Sequence, residues 1–180
     1  APSFATTVWT ALPPMTARYA AGAALAGGRI YVTGGTSNGF TSLGANEEYD
    51  PVSNSWIARA AMITGRDRHS VVAVDGKVYA FGGETDGVNG NANEMYAPAT
   101  NSWSGKTVFP ASRRLIAAAS AAGATAQSIV AAGGNGSVNS AYMYNSVLDS
   151  WAAKTGMPAG LSAGAAASLG GKIYVMGGAA

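Results

Sequence analysis

The stretch EEYDPVSNSW, residues 47–56, returns as EMYAPATNSW at 94–103 and in altered form as YMYNSVLDSW at 142–151. Working outward from it, the rest of the chain keeps the same beat. Tryptophans stand at Trp9, Trp56, Trp103 and Trp151, spaced by 47, 47 and 48 residues. Tyr49, Tyr96 and Tyr144 each precede a Trp by seven positions. Glycine pairs fall at Gly34–Gly35, Gly82–Gly83, Gly133–Gly134 and Gly177–Gly178. Arg18, Arg66 and Arg113 follow a Trp by nine or ten residues. Self-similarity at a period of about 40–50 residues marks an array of one supersecondary unit.

Each unit divides into four short runs, a to d. In the second unit these are HSVVAVDG (69–76), KVYAFGG (77–83), a run ending in Tyr96, and a run carrying Trp103. They are rich in Val, Ile, Tyr and Trp, short, and bounded by turn residues, which is the pattern of strands. Asp75-Gly76 and Gly170-Gly171 predict two-residue hairpin loops, whose positive φ favours these residues. DPVSNS and APATNS place Pro and Asn where a turn needs a fixed or left-handed φ. No segment carries a helical apolar stripe. The fold class is all-β. Four-stranded antiparallel sheets this small bury both faces only by stacking radially, as in a propeller. The glycine pairs then allow the inner strands to approach, and the Trp and Tyr pack between blades.

The glycine pair after an apolar strand, the E-x-Y-D-P run and the N-S-W run together resemble the Kelch repeat of β-propellers. The resemblance covers essentially the whole chain. It departs in unit three, where SIVAAGG lacks the Tyr, and in unit four, where Leu161 stands in place of the Arg. The expected division is an N-terminal d strand in 1–14, blades at 15–59, 60–106 and 107–154, and the a and b strands of an incomplete blade at 155–180. Fifteen strands are one short of four blades. Three readings follow: a partial propeller that is a fragment of a longer one, an unusual small ring with the Trp9 strand completing the last blade, or half of a ring closed by a homodimer. A missing remainder or closure by a second chain is favoured, since raw sheet edges invite association.

Composition narrows the function. The 180 residues carry 11 Lys and Arg against 9 Asp and Glu. The cations form no cluster, and phosphate-backbone binding needs several on one face, so nucleic acid is not an expected partner. With no Cys, disulfides, Cys-based zinc sites and thiol nucleophiles are excluded. The charge-free stretch 115–134 has the length of a membrane span, but only Leu115, Ile116, Ile129 and Val130 in it are strongly apolar. In the repeat register it is strands a and b, and no membrane insertion is expected. The low charge and Ser/Thr/Asn/Gly/Ala-rich surface point to a secreted or cell-surface protein.

Antiparallel order puts the long d–a and b–c loops on one face, and binding groups concentrate on such loops. Arg18, Arg66 and Arg113 open the a strands there. They either hold a carboxylate or sulfate or tie a blade to its neighbour through backbone carbonyls. Arg68 and Arg114 stand outside the repeat pattern and are ligand-facing candidates. His69, the single His, is a further ligand-binding candidate or a packed structural residue. Glu47, Glu48 and Glu94 are placed on c strands toward the blade exterior. DGVNGNANE (86–94) has two acids at the wrong spacing for a calcium loop. No catalytic residue, metal or cofactor is assigned. The resemblance implies a non-enzymatic binding or scaffolding module holding a protein or glycan partner. The alternatives are an isomerase-like enzyme on a sugar acid, using Arg66, His69 and Arg113, and a self-assembling element. The copper-radical oxidases of similar fold need a Cys–Tyr crosslink and two His, which this sequence lacks.

Overall fold

A computed structural model describes residues 9–121 and 127–180. Strands β1 (Gly22–Ala26), β2 (Arg29–Thr33), β3 (Asn46–Asp50) and β4 (Ser55–Arg59) form the first four-stranded antiparallel sheet in chain order. Blade 2 contains β5 (Ser70–Val74), β6 (Lys77–Phe81), β9 (Asn93–Ala97) and β10 (Ser102–Lys106). Its b–c connection is itself a small hairpin, β7 (Glu84–Thr85) with β8 (Val88–Asn89). Blade 3 contains β11 (Ala117–Ala121), β12 (Ser128–Ala132), β13 (Ala141–Asn145) and β14 (Ser150–Lys154). A last pair, β15 (Ala165–Leu169) and β16 (Lys172–Met176), begins the next blade. Within the stretch 115–134, 117–121 and 128–132 are thus strands a and b of blade 3, with Ile129 and Ala131 fully buried.

The register explains the recurring phrase. Tyr49 lies directly opposite Trp56, Tyr96 opposite Trp103 and Tyr144 opposite Trp151. Seven residues is the distance around one c–d turn. The ring pairs are tilted, with centroids 5.1, 5.3 and 4.9 Å apart. Each Tyr hydroxyl bonds a side-chain oxygen in its own turn: Asn54 at 2.6 Å, Asn101 at 2.9 Å and Asp149 at 2.5 Å. Those three turn residues all have positive φ, a conformation Asn and Asp tolerate best among side-chain-bearing residues. Each indole N–H then reaches back one unit, to the carbonyl of Pro13, Ala60 or Thr107 at 2.9, 2.8 and 3.0 Å. One motif therefore closes a turn, packs a blade and fastens it to the chain before it.

Trp9 departs from this expectation. Its side chain is fully exposed, and residues 9–14 form no strand. The position seven before it is Pro2, so the Tyr partner is missing. The rest of the expected N-terminal strand, 1–8, lies outside the described residues, as does the 122–126 part of the blade-3 hairpin.

Adjacent blades are joined at the glycine pairs. The second glycine donates to the next blade: Gly35 N–H to Arg66 O at 2.9 Å, Gly83 to Arg113 O at 2.7 Å, and Gly134 to Leu161 O at 2.9 Å. The first glycine lies under the same carbonyl. A Cβ at Gly82 would sit 2.6 Å from Arg113 O and 2.8 Å from Ile116 Cδ1, and φ there is +62°. Gly82→Ala is expected to cost roughly 3 kcal/mol, from left-handed strain and displacement of a neighbouring backbone. Gly76 has a similar φ of +69° but nothing within 4 Å, so Gly76→Ala should cost only about 1 kcal/mol. Denaturant midpoints of the two variants check this difference.

Candidate functional site at the channel mouth

The a strands β1, β5, β11 and β15 lie side by side, and the segments leading into them line one end of their inner face, where a closed propeller has its channel mouth. At one repeat position there, Ala20, Arg68, Leu115 and Ala163 all have φ between 52° and 58°. Left-handed backbone costs about 1–2 kcal/mol at a non-glycine residue. Here it permits a relay: Arg68 N–H donates to Ala20 O at 2.9 Å, Leu115 to Arg68 O at 3.0 Å, and Ala163 to Leu115 O at 3.1 Å. The cavity inside the relay measures about 380 Å3 and is also lined by His69, Ile116 and Gly164.

Beside it stands a charged cluster on the residues that follow the glycine pair and the recurring arginines Arg18, Arg66 and Arg113, the belt arginines. Glu84 is buried, and its two carboxylate oxygens receive Arg68 and Arg114, one each. Arg68 also donates to Asp67 Oδ1 at 2.8 Å. Ser42 Oγ donates to Asp67 Oδ2 at 2.8 Å and accepts Asp86 N–H at 2.9 Å, while Ser42 N–H donates to Asp86 Oδ1 at 2.8 Å. The b–c loops of blades 1 and 2 are thereby locked together. Arg68 and Arg114 are held from behind by Glu84, yet their side chains remain 33% and 36% exposed.

Around this charge the b–c and d–a loops of this face display apolar groups. Phe40 is 82% exposed, on a loop braced by Asn38 Oδ1, which accepts the N–H groups of Phe40 and Thr41 at 2.9 Å each. Tyr19, Ile63 and Val88 are also exposed. Tyr19 closes over Gly39, where an added Cβ would meet its hydroxyl at 2.6 Å.

The belt arginines are different. Arg18 is paired with Glu47, and Arg66 with Glu94, and both guanidiniums are closed off from solvent. Arg66 also donates to Ala92 O at 2.7 Å and Thr64 O at 3.2 Å, and Glu94 accepts the N–H groups of Ile63 at 2.8 Å and Thr64 at 3.0 Å. Arg18 and Arg66 are therefore internal ties within their own blades rather than ligand contacts. Arg66 reaches the neighbouring blade through its main chain, its carbonyl accepting Gly35 N–H at 2.9 Å and its own N–H donating to Leu43 O at 3.1 Å. The expectation that Glu48 and Glu94 face the blade exterior is corrected too. Both are buried, Glu94 against the enclosed Arg66 and Glu48 beneath the partly exposed Arg59.

Unit three replaces this tie. Tyr142 stands where the Glu should be and Pro110 where Ile63 gave its N–H. Tyr142 packs edge-on to Phe109 at 5.3 Å, and Phe109 on Trp151 at 4.9 Å. Arg113 turns to Ser140 Oγ at 2.5 Å.

His69 is wedged between blades 1 and 2. Its Nε2 lies 3.0 Å from Thr33 Oγ1, and Nδ1 is buried without a partner. Burial, with Arg66 nearby, pushes its pKa down to about 3. It stays neutral and has no acid beside it, so it makes no acid–base pair. With Arg66 enclosed, Arg66, His69 and Arg113 offer no common face to a sugar acid.

Among the described residues, no three His, Asp or Glu side chains gather to hold a metal ion. The two acids of DGVNGNANE are engaged within the protein, Asp86 with Ser42 and Glu94 with Arg66.

The model of the KLHDC2/KLHL20/DRC7 Kelch-repeats domain matches residues 4–178. The chain belongs to the Kelch-repeat family. Relatives within the Kelch family include human Kelch-like protein 33, 36% identical over 46% of this chain, and mouse Kelch-like proteins 9 and 13, 37% and 39% identical over 43% and 42% of it. The chain spans 16%, 13% and 12% of those proteins. The solved structure of YjhT superposes with a TM-score of 0.72 at 19% identity, covering 88% of this Kelch chain and 59% of YjhT. That likeness concerns the fold. Kelch-repeat domains commonly mediate protein binding.

The sequence signals for Arg68 and Arg114 lay in their being extra to the repeat. Glu84, which clamps them, was missed. The signal for it was its place directly after the glycine pair, where the other units have Thr36, Asn135 and Ala179.

Proposed function

We propose that this Kelch domain is a protein-binding module that takes an acidic and apolar segment of a partner across the channel mouth. The observation that carries this is the pair of half-exposed guanidiniums clamped by Glu84 beside exposed Phe40, Tyr19 and Val88. An arginine whose back is already fixed by a carboxylate loses little freedom when it takes a second one. Exposed aromatic side chains on a braced loop supply contact area at low entropy cost. The face offers reversible contacts and no activated nucleophile.

Selection of peptides from a random displayed library tests this. Recovered sequences should combine Asp or Glu with an apolar residue. Their binding should fall at least tenfold, about 1.4 kcal/mol, in both Phe40→Asp and Arg114→Gln. A basic consensus, or binding indifferent to both variants, would refute the reading. A glycan array run in parallel addresses a sugar partner on the same loops.

A further inference from the structure

The opposite face, where the a–b and c–d turns lie, holds an ionic cluster that the repeat does not need. In blade 1, buried Glu48 accepts Arg59 Nε at 2.9 Å and Nη2 at 3.0 Å. Arg29 Nε lies 3.4 Å from Glu48, and Arg29 Nη1 pairs with Asp50. The equivalents of Glu48 are Met95 and Met143, those of Asp50 are Ala97 and Asn145, and those of Ile57 are Ser104 and Ala152. Blades 2 and 3 fold with methionine at the central position. A buried ion pair rarely adds stability over an apolar residue of like volume, so folding alone does not account for the cluster.

The cluster borders a cleft of about 370 Å3 between blades 1 and 2, walled by Ala26, Gly27, Ile57, Gly76, Pro98 and Ala99. That volume lies at the small end of ligand cavities. Arg29 and Arg59 are 39% and 31% exposed, and each guanidinium has five N–H donors. Arg29 Nη2 and Arg59 Nη1 take no part in the bonds to Glu48 and Asp50. Two cations face two carboxylates, so the cluster is near neutral and favours a single added negative charge over two. Burial pushes the Glu48 carboxyl up, but Arg59 and the Tyr31 hydroxyl outweigh this and hold it below the usual carboxylate range. The clamp therefore stays charged at neutral pH.

We propose that this cleft is a second binding site, taking a small organic carboxylate of about monosaccharide size on Arg29 and Arg59, its ring against Ile57, Pro98 and Ala99. Amide NMR titration with glucuronate, glucose and inorganic phosphate tests it. Glucuronate should give saturable shifts at Gly27, Gly76 and Ala99, with glucose and phosphate much weaker. Arg29→Gln should weaken glucuronate at least fivefold. Ala99→Glu, which leaves the cluster intact and sets a like charge at the wall, should do the same. Arg114→Gln, at the other face, should leave it unchanged. No saturable shift at tens of millimolar, equal response to glucose or phosphate, or binding untouched by Arg29→Gln and Ala99→Glu would overturn the proposal.

Discussion

Arg66→Met should unfold at markedly lower denaturant, with a loss of about 3–5 kcal/mol. The substitution removes a guanidinium that is 1% exposed and leaves Glu94, at 4%, charged in the blade interior. Glu94 would keep the N–H groups of Ile63 and Thr64, but these cannot replace a cation. Ala92 O would also lose its donor. The double variant Arg66→Met/Glu94→Met should recover most of the loss, because removing both charges avoids the isolated buried ion. Blade 3 already manages without the pair, with Tyr142 in the acid's place. Urea midpoints of the two single variants and the double yield the coupling energy. Additive losses would show that the two residues do not act as a unit.

Acid should destabilise the fold before its carboxylates protonate. His69 has its pKa lowered from 6.5 to about 3 by burial and by Arg66. The unfolded chain takes up this proton near 6.5 and the folded chain only near 3. Stability is therefore full above pH 6.5 and falls as pH drops through the interval between those values, by about 1.4 kcal/mol per unit. Between pH 6.5 and 4.5 the expected loss is roughly 2–3 kcal/mol. Glu47, Glu48, Asp50 and Asp149 are held below their ordinary values. They add losses of the same sign, but only as pH passes below the ordinary carboxylate range. Chemical denaturation at several pH values should show the slope between 6.5 and 4.5, and His69→Gln should flatten it. An unchanged slope in that variant would mean that some other group carries the proton.

Strand order and the pairing of Tyr with Trp were legible because they are periodic, and periodicity survives substitution. The four-run grammar placed 115–134 in a blade despite its lack of charge. The partners of the belt arginines were not legible. Glu47 and Glu94 sit two residues before a Tyr, on a strand whose two faces both look polar in sequence, and only the adjoining sheet decides which is enclosed. Trp9 fails for the opposite reason. Its identity fits the rhythm, but burial needs a tyrosine across a turn, and Pro2 stands at that spacing. Channel-mouth chemistry was half visible. Arg68 and Arg114 stood out as departures from the period, whereas Glu84 and Phe40 acquire meaning only once loops from different blades meet.

The relay through Ala20, Arg68, Leu115 and Ala163 joins neighbours with main-chain atoms alone. Side-chain identity at this site is thereby uncoupled from assembly. A methyl, an isobutyl group and a guanidinium occupy equivalent seats without disturbing the joint. The scaffold can exchange recognition chemistry around its rim one seat at a time, keeping the framework that presents it.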